Sequence, residues 1–219
     1  MSGARQQILL RIRTALNDVS AIEQPADVPV PREYLTRPVQ TKHELLERFE
    51  HRLRDYGAGY RHVSAAEIAG GVATACAELS LRTLVIPPGL PAEWRPNGVE
   101  LVEDHSLSTE AIDQLDGALT GCAAAIAETG TLLLDSRGAS GRRVITLVPD
   151  HHICVVNLEQ LVGSVPEALS RVSQSVIEHR SPVTLISGPS ATSDIELTRV
   201  VGVHGPRHLS VVIVDGEPS

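Results

Sequence analysis

Apolar residues recur along this chain in two rhythms. The first is helical: Ile8, Ile12, Ala15, Leu16 and Val19 fall three or four residues apart, which lines them along one stripe of an amphipathic helix with a face to bury. Thr41-Lys-His-Glu44 reads as a capping box ahead of Leu45, Leu46, Phe49 and Leu53, and Ser64-Ala-Ala-Glu67 repeats it before an Ala-rich helix to about Leu79. Further helices are expected near Ser108 to Leu115, Leu158 to Val162 and Pro166 to Ile177. The second rhythm is short runs of aliphatic and β-branched residues: Tyr60 to Val63, Thr83 to Ile86, Val99 to Val102, Cys122 to Ala127, Thr131 to Leu134, Ile153 to Asn157, Val183 to Ile186 and Leu209 to Val214. Helix alternating with strand predicts an α/β fold, a mostly parallel sheet covered on both faces. The Ile126 to Leu134 stretch, broken at Thr129-Gly130, reads as a hairpin inserted into that arrangement.

Prolines 25, 29, 31 and 38 interrupt the pattern. They remove amide donors and disfavour helix, so the expected organisation is an N-terminal helix and Pro-rich arm over 1–38 and an α/β domain over 39–219. The arm is expected to detach from the core, its helix docking on the domain or on a partner chain.

Composition narrows the function. A chain of 219 residues, 42% apolar, can bury one sizeable core. Its net charge of -8 and 2% aromatic content argue against nucleic acid, which needs clustered cations and stacking rings. Cys76, Cys122 and Cys154 lie far apart in apolar surroundings, so neither an iron-sulfur nor a zinc spacing is present and inert packing thiols are expected. No apolar run is long enough for a membrane span. The expectation is a cytoplasmic protein, although the acid-free, Arg-bearing stretch Met1 to Asn17 also has the composition of a transit peptide. Lys42 is the sole lysine, which excludes a GxxxxGK phosphate loop and a core Schiff-base lysine, and Gly57-Ala-Gly59 follows a helix and lacks the third glycine of a dinucleotide fingerprint. No cofactor is expected.

Two polar motifs remain. Glu128-Thr129-Gly130-Thr131 ends an apolar run, and Ser187-Gly188-Pro189-Ser190 leaves another before a third capping box, Ser193-Asp194-Ile195-Glu196. Parallel strands deliver their carboxyl-end loops to one edge, so Glu128, Thr129, Arg142, Ser187, Ser190 and Asp194 are expected in one cleft, with Gly130, Thr131 and Gly188 shaping it. Arg142 or the amides of the Ser193 helix start would meet a small carboxylate ligand. The alternative for each motif is structural: a turn in which Gly130 takes positive φ, and a helix cap. His151, His152, His204 and His208 are expected as turn or interface histidines rather than metal ligands, because their spacing suits no common site.

Four stretches resemble the lactate-utilisation domain family, in particular its stand-alone C-subunit members: Ile8 to Leu16, Ile126-Ala-Glu-Thr-Gly-Thr131, Pro149-Asp-His-His-Ile-Cys-Val-Val156, and Ser187 to Glu196 running into Gly202-Val-His-Gly-Pro206. The resemblance implies a fold like that of the sugar-phosphate isomerase and acyl-coenzyme A transferase superfamily, a Rossmann-like, mostly parallel sheet. It also implies an accessory role in a three-protein system that oxidises L-lactate to pyruvate, with the iron-sulfur clusters on the two partner subunits. Acyl-coenzyme A transferases use a catalytic glutamate, so the alternative is a cofactor-less enzyme acting on a small hydroxy acid or acyl thioester through Glu128.

Overall fold

The computed structural model describes residues 2–17, 40–193, 199–201 and 204–215. The chain divides into two compact units, Met1–Leu35 and Thr36–Ser219. In the first, helix α1 (Ser2–Ala15) carries three arginines and no acid. Its Ile8, Leu10 and Ile12 are exposed, so the apolar stripe expected to be buried is open to solvent.

The second unit is built on a six-stranded sheet, β1 (Gly59–Val63), β12 (His208–Val214), β7 (His151–Asn157), β4 (Gly117–Gly121), β2 (Thr83–Ile86) and β3 (Glu100–Glu103) in spatial order. Every neighbouring pair in it is parallel, so the sheet has one amino edge and one carboxyl edge. Side chains alternate across it as the pleat requires. Ile153, Val155, Val212 and Val214 pack on one face against Val72, Ala75 and Cys76 of α3 (Ile68–Glu78). Cys154, Val156, Val211 and Ile213 pack on the other face against Phe49 and Leu53 of α2 (Lys42–Tyr56).

That second face also carries a smaller sheet, in the order β8 (Leu161–Val162), β5 (Ala124–Ile126), β6 (Thr131–Leu134) and β9 (Thr184–Ile186). β5 and β6 are the expected hairpin, antiparallel with Ile126 opposite Thr131. Ala125 and Leu132 point to the main sheet, whereas Ala124, Ile126 and Leu133 pack against α5 (Val165–His179). Layers therefore follow in the order α3, parallel sheet, α2 with the small sheet, α5.

Local sequence explains the helix ends. Thr41 and Glu44 form the capping box that starts α2, and Gly57 closes it at φ +73, a left-handed position that glycine takes without strain. Three expectations fail. Strand β4 at Gly117–Gly121 was not expected at all, the run expected as a strand at Cys122 to Ala127 holding β5 instead. Leu158 to Val162 forms a single 3₁₀ turn and a two-residue strand, not a helix. Ser193, read as a helix cap, ends strand β10 (Ala191–Ser193), which pairs antiparallel with β11 (Arg199–Val201). Beyond these, α4 (Thr109–Asp113) starts at the Ser108 cap.

Candidate functional site

The two polar motifs meet. Thr129 Oγ1 lies 2.7 Å from Thr131 Oγ1, which lies 2.7 Å from Ser187 Oγ, so three hydroxyls form a continuous chain between the hairpin turn and the loop after β9. One helix braces both turns. Gly130 (φ +64) and Gly188 (φ +81) sit so close to α2 that an added Cβ would come 2.4 Å from the Cβ of Arg52 and 2.5 Å from that of Tyr56. Arg52 and Tyr56 are one helical turn apart, and Arg52 Nε donates to the Glu128 carbonyl at 3.0 Å.

The hydroxyl chain separates two clefts. Glu128 and Thr129 line the first, about 380 Å³, with Arg52, Asp55 and Tyr56; the Glu128 side chain is exposed. The second, about 230 Å³, is lined by Ser187, Gly188 and Ser190, with Arg143, Thr146 and His204. Its wall is pinned by Ser190, whose amide donates to the Pro206 carbonyl at 2.8 Å and whose hydroxyl accepts from the His204 amide at 3.1 Å.

Arg142 belongs elsewhere. Its Nε and Nη2 hold the two oxygens of Asp104 at 2.6 and 2.5 Å and Nη2 also reaches the Leu107 carbonyl. The Asp104 side chain is 1% exposed, and the Arg142 guanidinium keeps its carboxyl below the usual range against the opposing effect of burial. The expectation of one cleft shared by Glu128, Thr129, Arg142, Ser187 and Ser190 is therefore corrected. A buried carboxylate beyond β3 already occupies Arg142, Glu128 and Thr129 line the first cleft, and Ser187 and Ser190 line the second with Arg143. Asp194 lies outside the described residues.

The location is also unexpected. α2 ends at Gly57, two residues before β1 begins, and Pro206 precedes the first residue of β12, so both clefts open at the amino edge of the parallel sheet. Strands β5 and β9 have left that sheet, and their ends point back toward its start. At the carboxyl edge, where open α/β sheets usually hold ligands, the middle of the sheet is tightly closed: a Cβ on Gly121 would come 3.0 Å from Trp94 and 3.1 Å from Ala139, and one on Gly89 would overlap Gly138 at 2.7 Å. A cleft of about 400 Å³ opens at the end of β1 beside Arg61 and His62.

The model of the LUD domain matches residues 41–214. The chain belongs to the LUD domain family. It is 46% identical over 206 residues, 94% of each chain, to the lactate utilization protein C of Deinococcus radiodurans. It is 28% identical over 189 residues, 78% of each chain, to the lactate utilization protein C of Geobacillus thermodenitrificans. The crystal structure of a DUF162 family protein from Deinococcus radiodurans superposes with a TM-score of 0.70 at 44% identity, covering 80% of this chain and 99% of that one.

Within this LUD domain the histidines divide by role. His151 stacks on His208 with ring centres 4.6 Å apart. His152 is buried, shares a 2.8 Å hydrogen bond with Thr120 through Nε2, and leaves Nδ1 without a partner among the described residues. Burial first, and then the charge of Arg143, depress it to about 4, so it is neutral at ordinary pH. Among the described residues no group of three or more His, Cys, Asp or Glu side chains is placed to hold a metal ion, and no helix is long and apolar enough to cross a membrane. The three thiols are buried and unpaired; burial pushes Cys76 up to about 11. Sequence reading passed over Arg52 and Tyr56, whose signal was faint: two polar-faced positions spaced i, i+4 at the end of an ordinary amphipathic helix.

Proposed function

We propose that this chain serves lactate utilisation as an accessory subunit: it works with iron-sulfur partner subunits that oxidise L-lactate to pyruvate, in the cytoplasm, and carries no redox cofactor of its own. The observation that carries this reading is the 46% identity, across 94% of both chains, to a protein named for lactate utilisation. The cysteines support the division of labour. They are dispersed in sequence and packed into apolar layers, Cys76 on one side of the sheet and Cys122 beside Cys154 on the other, whereas clusters are held by about four thiolates gathered at one point. The residues before 39 are then an arm available for assembly, and α1, basic and apolar with exposed leucines and isoleucines, has the composition of a docking helix.

Deletion of the gene tests the reading. Growth on L-lactate as sole carbon source is expected to fail, while growth on glucose continues, and the tagged chain restored to that strain is expected to retain partners that contain iron. Unimpaired growth on lactate sinks the proposal. The enzyme alternative separates in the same strain: an accessory subunit carrying Glu128→Gln restores growth, whereas a Glu128-dependent enzyme does not.

A further inference from the structure

Arg143 differs from the other arginines around the core. Arg142 faces Asp104, Arg207 faces Asp150, Arg61 faces Glu78 and Arg95 faces Glu103. Arg143 has no carboxylate partner among the described residues. Its Nη1 donates to the Thr146 carbonyl at 3.0 Å and to the Thr146 hydroxyl at 3.2 Å, and both bonds use one nitrogen. A guanidinium has five N–H donors. The Nε and Nη2 edge, the pair that grips a carboxylate with two parallel bonds, is left without a protein acceptor among the described residues.

The surroundings sharpen this. Arg143 is half-buried, so its charge is less well hydrated than that of a surface arginine, and among the described residues none that lines its cleft is acidic. His152 behind it is neutral and offers no counter-charge. The rest of the lining supplies hydroxyls from Ser187 and Ser190 and the imidazole of His204. A partly desolvated cation without a counter-ion, facing hydroxyls in a concave site, is a costly arrangement that an anion relieves. At about 230 Å³ the cleft is smaller than the roughly 300 Å³ at which pockets for drug-sized ligands begin. The larger cleft of about 480 Å³ on the same edge makes the contrast: it is lined by Asp113, Asp116 and Asp150, and its Arg207 is already paired.

We propose that this cleft binds a small monocarboxylate anion, with Arg143 gripping the carboxylate through Nε and Nη2 and the Ser187 and Ser190 hydroxyls contacting the oxygen on the adjacent carbon. The anion site stands on the geometry alone; the choice of 2-hydroxy or 2-oxo acids as its ligands rests on the lactate reading above. The hydroxyl chain through Thr131 to Thr129 then connects an occupied cleft to the turn that bears Glu128.

Titration calorimetry on the full chain, with L-lactate, pyruvate, propionate and inorganic phosphate at fixed ionic strength, tests the assignment. L-Lactate or pyruvate is expected to bind more tightly than propionate, which lacks the second oxygen. Arg143→Gln is expected to weaken binding by about tenfold or more, the value of lost charge-assisted bonds, and Arg143→Lys by less, since it keeps the charge and loses the fork. Arg95→Gln, which strips the partner from Glu103 at the far edge of the sheet, is expected to leave Kd within about twofold, because distant sites act independently. Should Arg143→Gln fail to fold by circular dichroism, the lysine variant carries the test. Absence of carboxylate binding, wild-type affinity in a folded Arg143 variant, or tighter binding of phosphate than of any carboxylate overturns the site. Propionate binding as tightly as lactate overturns the role of the serines. A chain that binds lactate but is dispensable for growth on it keeps the site and loses the function proposed above; the reverse outcome removes the site alone.

Discussion

The two edges of the parallel sheet are finished in opposite ways. At the carboxyl edge most groups are matched: Trp94 and Ala139 close over Gly121, and Asp104 is enclosed with both its oxygens on Arg142, although Arg95 buries an Nε without a partner among the described residues. At the amino edge, groups are left over. Arg143 has a free guanidinium edge among the described residues, His151 and His152 each bury an Nδ1 without a partner, and serine and threonine hydroxyls bond mainly to one another. The difference teaches that sheet topology alone does not locate a site. A second sheet that folds back over the first carries its loops to the opposite edge, and unspent hydrogen-bonding capacity marks where chemistry can happen.

The largest expected effect comes from loosening the brace that holds the amino edge. Valine at Gly130 meets two penalties: a β-branched residue at φ +64, and a Cβ placed 2.4 Å from that of Arg52. Together they are expected to cost about 3 to 5 kcal/mol of stability. The single tryptophan, Trp94, sits at the far edge, so its fluorescence reports the region that the substitution does not touch. Urea unfolding followed by Trp94 fluorescence and by far-ultraviolet circular dichroism is expected to show one shifted, coincident transition. Gly130→Val at wild-type stability would mean that α2 does not brace the hairpin as described.

How far this division was legible in the sequence depended on how local the signal was. Thr83–Ile86 and Thr131–Leu134 could be read to the residue, since each is a run of apolar and β-branched residues between turn formers. Gly117–Gly121 could not: Gly-Ala-Leu-Thr-Gly has a loop's composition, and Gly117 is needed in the strand because Leu84 and His151 crowd the place of its Cβ at 3.0 and 3.1 Å. That requirement exists only after three strands assemble. Thr129 and Ser187 come together through Thr131, in a sheet whose separateness no single-chain pattern reveals. The choice between Arg142 and Arg143 turned on the phase of a short 3₁₀ segment, Arg143–Thr146, and on the buried Asp104 some 40 residues earlier in the chain.

Acid should act first on the amino edge. His152 titrates at about 4 in the folded chain, mainly because it is buried, against about 6.5 when unfolded. Its folded value is depressed, so the unfolded chain takes up the proton first, and stability falls as pH drops from about 6.5 to about 4. The linkage is on the order of 3 kcal/mol across that window. Urea midpoints measured between pH 7 and 4.5 are expected to fall for the wild type and to flatten for His152→Gln. Equal slopes in the two proteins would show that His152 is hydrated or already charged. The carboxylates held below their usual range, Asp104 and Asp116, add their own acid sensitivity only at lower pH.

The smallest effect, and the one that separates the edges by sign, belongs to His62 near the carboxyl edge. Its Nδ1 lies 2.8 Å from Asp215 Oδ1, just beyond β12, and its Nε2 lies 2.9 Å from Glu50 Oε1 on α2, so one imidazole ties a helix, a strand and the chain after the last strand. Partial burial pulls its pKa down, but the hydrogen bonds and charges of Asp215 and Glu50 outweigh that and raise it above the ordinary value. Here the folded value is raised, so the stabilisation is complete below about pH 6.5 and is lost as pH rises through the folded value, the reverse of His152. The side chain is 35% exposed, which lets salt screen the pair and keeps the contribution below that of His152. Thermal midpoints between pH 6 and 9 are expected to decline in the wild type, to decline less in 0.5 M salt, and to lose this component in His62→Gln. If that variant keeps the wild-type slope above pH 6.5, the imidazole is not charged between its two carboxylates, and the carboxyl edge is held by packing and by the Asp104 pair without it.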